Sequence, residues 1–176
     1  MTDPTLPRHE LQQTPVYRLF VYARPSSSRG KGRQAYVSAL RAEAMRRNVT
    51  PIDTPDVEVA VIYSTKRPAN LRADVDNIIK PTLDGLKGLA YVDDQVVRAV
   101  SARIFDRCGP FVIASDSVDA VGFLNSINHP VYDDVIIVCL YSPSRMEALG
   151  GAEAVQTRLR QEALDETAAA FRERRV

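Results

Sequence analysis

The chain has 176 residues, 45% of them hydrophobic, and a formal net charge of +1. That content suits one domain with its own core, and the near-neutral charge excludes a polycation, so affinity for nucleic acid must come from local basic clusters. No apolar run reaches membrane-spanning length, the N-terminus MTDPTLPRHE has no leader-like stretch, and Cys108 and Cys139 stand far apart, which gives the expectation of a soluble cytoplasmic protein with free thiols.

Residues 1–14 are polar and proline-bearing and read as a flexible arm. The β-branched and aromatic run 16-VYRLFVYA-23 predicts a strand that ends by Pro25, followed by the basic, glycine-bearing loop 26-SSSRGKGR-33. Tyr36, Leu40 and Ala44 recur every four residues and predict a helix over 34–47. In 56-DVEVAVIYS-64, Val57, Val59, Val61 and Tyr63 alternate and predict a second strand, which runs into the basic loop 65-TKRPANLR-72. A third strand is expected after Gln95. Residues 106–132 read as an insertion-like segment with a short helix over 117–127 and a turn at 128–130. The run 134-DVIIVCLY-141 predicts a buried strand. Ser144 and Glu147 match a capping box, Gly150 and Gly151 interrupt, and a charged helix carrying Val155, Leu159 and Phe171 is expected from Ala152 to about Arg174. His9 and His129 lie in polar, proline-flanked loops and read as loop residues rather than catalytic or zinc-binding ones. The order predicts a small mixed α/β (α+β) fold: a domain over 15–143 and a helical extension over 144–176.

The segment 74-DVDNIIKPTLDGL-86 carries the chemistry. In extended chain Asp74 and Asp76 face the same side, and two close carboxylates repel unless a cation sits between them. Mg²⁺ takes oxygen ligands and uses one or two carboxylates. An Asp-x-Asp-Asn run before a helix is also ordinary turn and N-cap chemistry, and the two roles can coexist. Pro81 fits best in a first turn, so regular helix is expected from Ile79 or Lys80 unless the proline kinks a longer one. On that helix Asp76, Lys80 and Asp84 share a face, and Ile79, Leu83, Leu86 and Ala90 form the buried one. Lys80 is then either an ion-pair partner or a phosphate contact. A second acidic pair, Asp93 and Asp94, follows Gly88, and tertiary packing must bring it back if it is to join the first. The basic residues Arg29, Lys31, Arg33, Lys66, Arg67 and Arg72 flank the acidic segment, as in a metal-dependent nuclease whose metal holds one phosphate and whose cations hold its neighbours, though charged loops are more often simply solvated.

The stretch 74-DVDNIIKPTLDGLKGLAYVDDQV-96, with 20-FVYARPSSSRGKGR-33 before it, resembles the signature of RusA-like Holliday junction resolvases (crossover junction endodeoxyribonucleases). The resemblance implies a small mixed sheet packed with helices, acting as a homodimer that cuts four-way DNA junctions in recombination and repair using Mg²⁺, or Mn²⁺ in its place. By motif position it implies Asp74, Asp76 and Asp94 as catalytic metal ligands, with Asp93 the alternative to Asp94, and Lys80 as the catalytic lysine. The alternative is a relative repurposed as a DNA-binding or protein-interaction module.

Overall fold

The computed structural model of the chain describes residues 14–25, 31–107 and 132–173. Arg29, His9, His129, Cys108, most of the N-terminal arm, the helix expected over 117–127, the turn at 128–130 and the Phe171 side chain lie outside the described residues. Four strands form one sheet: β1 (Tyr17–Val21), β2 (Val57–Thr65), β3 (Val97–Asp106) and β4 (Asp134–Tyr141), in the order β1-β4-β2-β3. β4 runs antiparallel to both β1 and β2, whereas β2 and β3 are parallel. The helices are α1 (Lys31–Arg46), α2 (Val75–Leu86), α3 (Pro143–Ala148) and α4 (Gly151–Glu173). This is the mixed α+β arrangement expected, and among the described residues no helix is long and apolar enough to cross a membrane.

β4 explains its own sequence. It pairs on both sides, and every residue from Asp134 to Leu140 is buried, so a continuous apolar run replaces alternation. β2 alternates instead: Val57, Val59, Val61 and Tyr63 are buried on the face that meets Tyr36, Leu40 and Ala44 of α1 in one core cluster. The parallel β2–β3 pair needs a crossover, and α2 supplies it. Gly85 of α2 lets α1 come close, because a Cβ there would lie 2.9 Å from Leu40 Cδ2. Across the same contact Tyr36 and Thr82 share a hydroxyl hydrogen bond of 2.6 Å, and Arg41 donates to the Gly85 carbonyl at 3.1 Å.

The C-terminal helices begin differently from the expected capping box. Ser142, not Ser144, is the N-cap of α3: its hydroxyl accepts from the Arg145 N–H, and Pro143 opens the helix. Ser144 is instead drawn to Asp56, donating its N–H to Oδ2 at 2.9 Å. Gly150 and Gly151 both adopt positive φ, 91° and 86°, and so separate α3 from α4. Val155 and Leu159 are buried, Arg158 lies 5.2 Å over the Tyr17 ring, and Arg47, just past the end of α1, bonds Glu162 at 2.7 Å. The first half of α4 is therefore docked on β1 and α1.

Asp56 makes acid stability testable. Partial burial pushes its pKa up, but donors from Thr54, Ser142 and Ser144 outweigh this and hold it down at about 2. Its folded value lies below the unfolded one, so its contribution is present above the unfolded value of 3.8 and is lost as pH falls through about 2. Asp56→Asn is expected to lower the melting temperature near neutrality and to flatten its pH dependence between about pH 4 and 2. Parallel melting-temperature profiles for the two proteins across that window would refute this.

Candidate metal centre

A network at the end of the sheet places the chain that leads to the acidic segment. Asp134, 5% exposed, accepts from Tyr63 Oη, Thr65 Oγ1 and Arg67 Nε, each at 2.7 Å. Burial would raise its pKa, but these three donors lower it overall. The Tyr63 phenol is pushed up to about 12, by burial first. The Arg67 carbonyl then accepts from Arg72 Nε at 2.6 Å, and Arg72 Nη2 reaches Asp106 at the end of β3 at 2.5 Å. The segment 66–72 is thus tied down from both sides just ahead of Asp74.

Asp74 is the N-cap residue of α2, with extended φ/ψ of −70° and 157°, yet its side chain makes no cap hydrogen bond. The Asn77 N–H instead bonds the Asp74 backbone carbonyl at 3.0 Å. Its carboxylate therefore serves no capping role, which weighs against the purely conformational reading of the Asp-x-Asp-Asn run. Asp76 stands in the first turn. Both carboxylates are exposed and, among the described residues, neither has a hydrogen-bond or ion-pair partner. Hard, exposed oxygen donors suit an ion such as Mg²⁺, which is content with one or two carboxylates and fills its shell with water.

Two expectations about α2 are corrected. The helix starts at Val75 rather than at Ile79 or Lys80, and Pro81 sits inside it. Pro81 leaves the Asn77 carbonyl without its usual donor, but the buried ring and the Tyr36–Thr82 bond hold the helix there by tertiary packing. Since Val75 is helical, Asp74 and Asp76 are not two residues of one extended strand. The buried stripe is Ile78, Pro81, Thr82, Gly85 and Leu86, with Ile79 and Leu83 only half-buried. Ala90 is buried, but in the turn after the helix.

Asp76, Lys80 and Asp84 do share one exposed face, as expected. Asp84 is paired with Arg33 of α1, not with Lys80. Lys80 has no ion-pair partner among the described residues, so a merely structural role in a helix-face pair has no support.

The second acidic pair lies elsewhere. Because β2 and β3 are parallel, α2 runs back along the sheet, so Asp74 and Asp94 flank opposite ends of a helix of 12 residues, about 18 Å long. The return turn is pinned there: Gly88, at φ 75°, donates to the Tyr91 carbonyl, Tyr91 Oη donates to the Leu83 carbonyl at 2.8 Å, and Ile52 bonds Ala90 and Val92. Lys87 Nζ sits between Asp93 and Asp94, at 2.8 and 3.4 Å. The Lys87 ammonium and the Gln95 N–H hold the Asp93 carboxyl below its ordinary value, and Asp93 in turn raises Lys87. Among the described residues, no group of three His, Cys, Asp or Glu side chains is placed to hold a metal. Asp74 and Asp76 stand two residues apart at the start of α2, and Asp93 and Asp94 lie beyond its far end. Lys87 was absent from the sequence reading, and its spacing from the Asp93–Asp94 pair across a glycine turn was the signal for it.

The basic residues divide. Lys66 is exposed, and Arg33, Arg67 and Arg72 are engaged with Asp84, Asp134 and Asp106. Lys31 is the first residue of α1.

The family model described as Endodeoxyribonuclease RusA matches residues 22–113, just over half of the 176-residue chain. The match begins just after β1 and spans α1, β2, α2 and β3, and with them every aspartate and lysine discussed above except Asp134. No curated protein matches the chain.

Proposed function

From the premise that the chain belongs to the RusA endodeoxyribonuclease family, whose members resolve Holliday junctions, we propose that it is a Mg²⁺-dependent homodimeric nuclease that cuts branched DNA in recombination and repair. The observation that carries this reading is the exposed Asp74 and Asp76 at the start of α2, with Lys80 one turn further on, none of which has a partner among the described residues.

Asp74 and Asp76 would hold the divalent ion; motif position adds Asp94 as the third carboxylate, with Asp93 as the alternative to it, and within one chain these two stand beyond the far end of α2. When bound, such an ion polarises the scissile phosphate and lowers the pKa of a coordinated water. Lys80 places its ammonium next to the charge that builds on the phosphorane oxygens. Arg29, Lys31, Arg33, Lys66, Arg67 and Arg72 would hold neighbouring phosphates, contacts that position DNA without reading its sequence. For Arg33, Arg67 and Arg72 this means exchanging a carboxylate partner for a phosphate.

The test is a synthetic four-way junction. Paired symmetric cuts in Mg²⁺, none in EDTA, and retained binding in EDTA are expected. Binding without cleavage in Mg²⁺ would favour the repurposed module instead. Neutralising Arg29, Lys31 and Arg33 together should weaken binding to all junction sequences alike and flatten its log–log salt dependence by roughly 0.9 per lost contact. An unchanged slope would remove these three from the interface.

A further inference from the structure

At one corner of the sheet hydrogen-bond donors outnumber acceptors. Arg145 of α3 donates from Nη2 to Tyr17 Oη at 3.2 Å and to Thr50 Oγ1. The two hydroxyl oxygens lie 2.9 Å apart, and the Thr50 N–H is directed at Tyr17 Oη from 3.5 Å. The guanidinium and the N–H can only donate, and of the two hydroxyls only one can donate to the other. The remaining O–H has no acceptor among the described residues, whichever of the two it is. Arg145 Nε is buried and bonds nothing, and among the described residues Nη1 bonds nothing either.

The charge is left over in the same way. Arg33, Arg47, Arg67, Arg72 and Arg158 each pair with a carboxylate, whereas Arg145 meets only neutral hydroxyls. Tyr17 is 4% exposed, which fixes its oxygen in place, while Thr50 is exposed and opens the cluster to solvent. A half-buried cation with spare N–H groups, beside a spare hydroxyl proton, matches a ligand that is anionic and accepts several hydrogen bonds at once, as a phosphodiester does.

Its position selects the ligand. Tyr17 pairs with Leu140, Glu58 with Tyr141 and Val57 with Val97, so the cluster lies at the end of the sheet from which the Asp93–Asp94 turn leads into β3. Thr50 is tied to that turn through Ile52, which bonds Ala90 and Val92. Lys66, Arg67 and Arg72 lie past the end of β2, at the opposite end of the sheet. Lys87, in the Asp93–Asp94 turn itself, is taken by the two aspartates. We infer that Arg145, with the Thr50 and Tyr17 hydroxyls, binds a backbone phosphate of the DNA substrate at the Asp94 end of the fold. This rests on the nuclease reading above. Arg145 and Tyr17 lie outside residues 22–113 that the family model matches, so the contact gives the C-terminal helices a part in holding DNA.

Four-way junction binding in EDTA across a salt series tests this. Arg145→Gln should flatten the log–log salt dependence by roughly 0.9, and Arg145→Lys, which keeps the charge, should leave it near wild type. Thr50→Glu, at an exposed position, offers Arg145 a carboxylate and should flatten the dependence as Arg145→Gln does. Arg160→Gln, exposed on α4, should not change it. A role in packing alone predicts instead a lower melting temperature for both Arg145 variants and an unchanged slope. A wild-type slope in folded Arg145→Gln and Thr50→Glu proteins, or equal flattening by Arg160→Gln, would overturn the contact and leave the nuclease reading in place. A wild-type protein that binds no junction would end that reading, and this contact with it. If inorganic phosphate raises the melting temperature of the wild type but not of Arg145→Gln, while both share one DNA slope, the site belongs to a free anion and the DNA contact falls.

Discussion

Asp74→Asn and Asp76→Asn proteins are expected to fold, to bind a four-way junction, and to lose cleavage by at least about 100-fold, on the scale of removing one electrostatic contact from a transition state. The isosteric amide keeps the shape of the side chain but removes the charge that holds a divalent ion. Stability should barely move, because neither carboxylate bonds anything among the described residues. Asp76 lies in the first turn of α2, where its charge favours the helix dipole by about 0.5 kcal/mol, so its amide variant should melt slightly lower. The Asp74 variant loses no cap bond. Junction affinity in EDTA should hold or rise, since negative charge near the phosphates has fallen. Cleavage at the wild-type rate by either variant would end the assignment. A cooperative loss of folding would show instead that the pair is structural.

Lys80→Ala is expected to lower single-turnover cleavage by about 100-fold, or roughly 3 kcal/mol, with an unchanged melting temperature. The competing role is an ion pair on the helix face, worth a few tenths of a kcal/mol. The structure gives the ion pair no support among the described residues. Asp84, the obvious partner one turn on, is taken by Arg33, and Asp76 makes no bond to Lys80. With alanine favoured in helices, the variant should be no less stable than wild type. A drop in melting temperature with unimpaired cleavage would return Lys80 to the helix face as an ordinary surface charge. Lys80→Arg gives a further check, because a bulkier planar cation does not reproduce a compact ammonium and should restore cleavage only in part.

Much of the architecture was legible because it depends on local pattern. Alternation in 57–63 and the four-residue spacing of Tyr36, Leu40 and Ala44 each placed one face against a common core, and all of those side chains are buried. The Asp-x-Asp-Asn and Asp-Asp-x-Val runs carried the family, and the family match covers them. Patterning failed where a distant contact outweighed a local preference. Pro81 read as a helix start by its missing N–H, but Thr82 bonds Tyr36 and Gly85 meets Leu40, so packing on α1 carries the helix through the proline and shifts its buried stripe by one residue. Ser144 read as a cap, but Asp56, 88 residues away in sequence, claims its N–H and leaves Ser142 to cap α3.

By itself the sequence supplied the candidates: Asp74, Asp76 and Asp94, with Asp93 as the alternative to Asp94, then Lys80 and a basic surround, at spacings that local chemistry explains. Only the tertiary structure decided which of them meet. The parallel pairing of β2 and β3 forces α2 to run the length of the sheet, which divides the carboxylates between its two ends. The fold likewise assigned Lys87 to Asp93 and Asp94, and Arg33, Arg67 and Arg72 to Asp84, Asp134 and Asp106. A charge in a sequence has no partner until the chain is folded, because Coulomb attraction and hydrogen bonding act over a few ångströms of space and not along the chain.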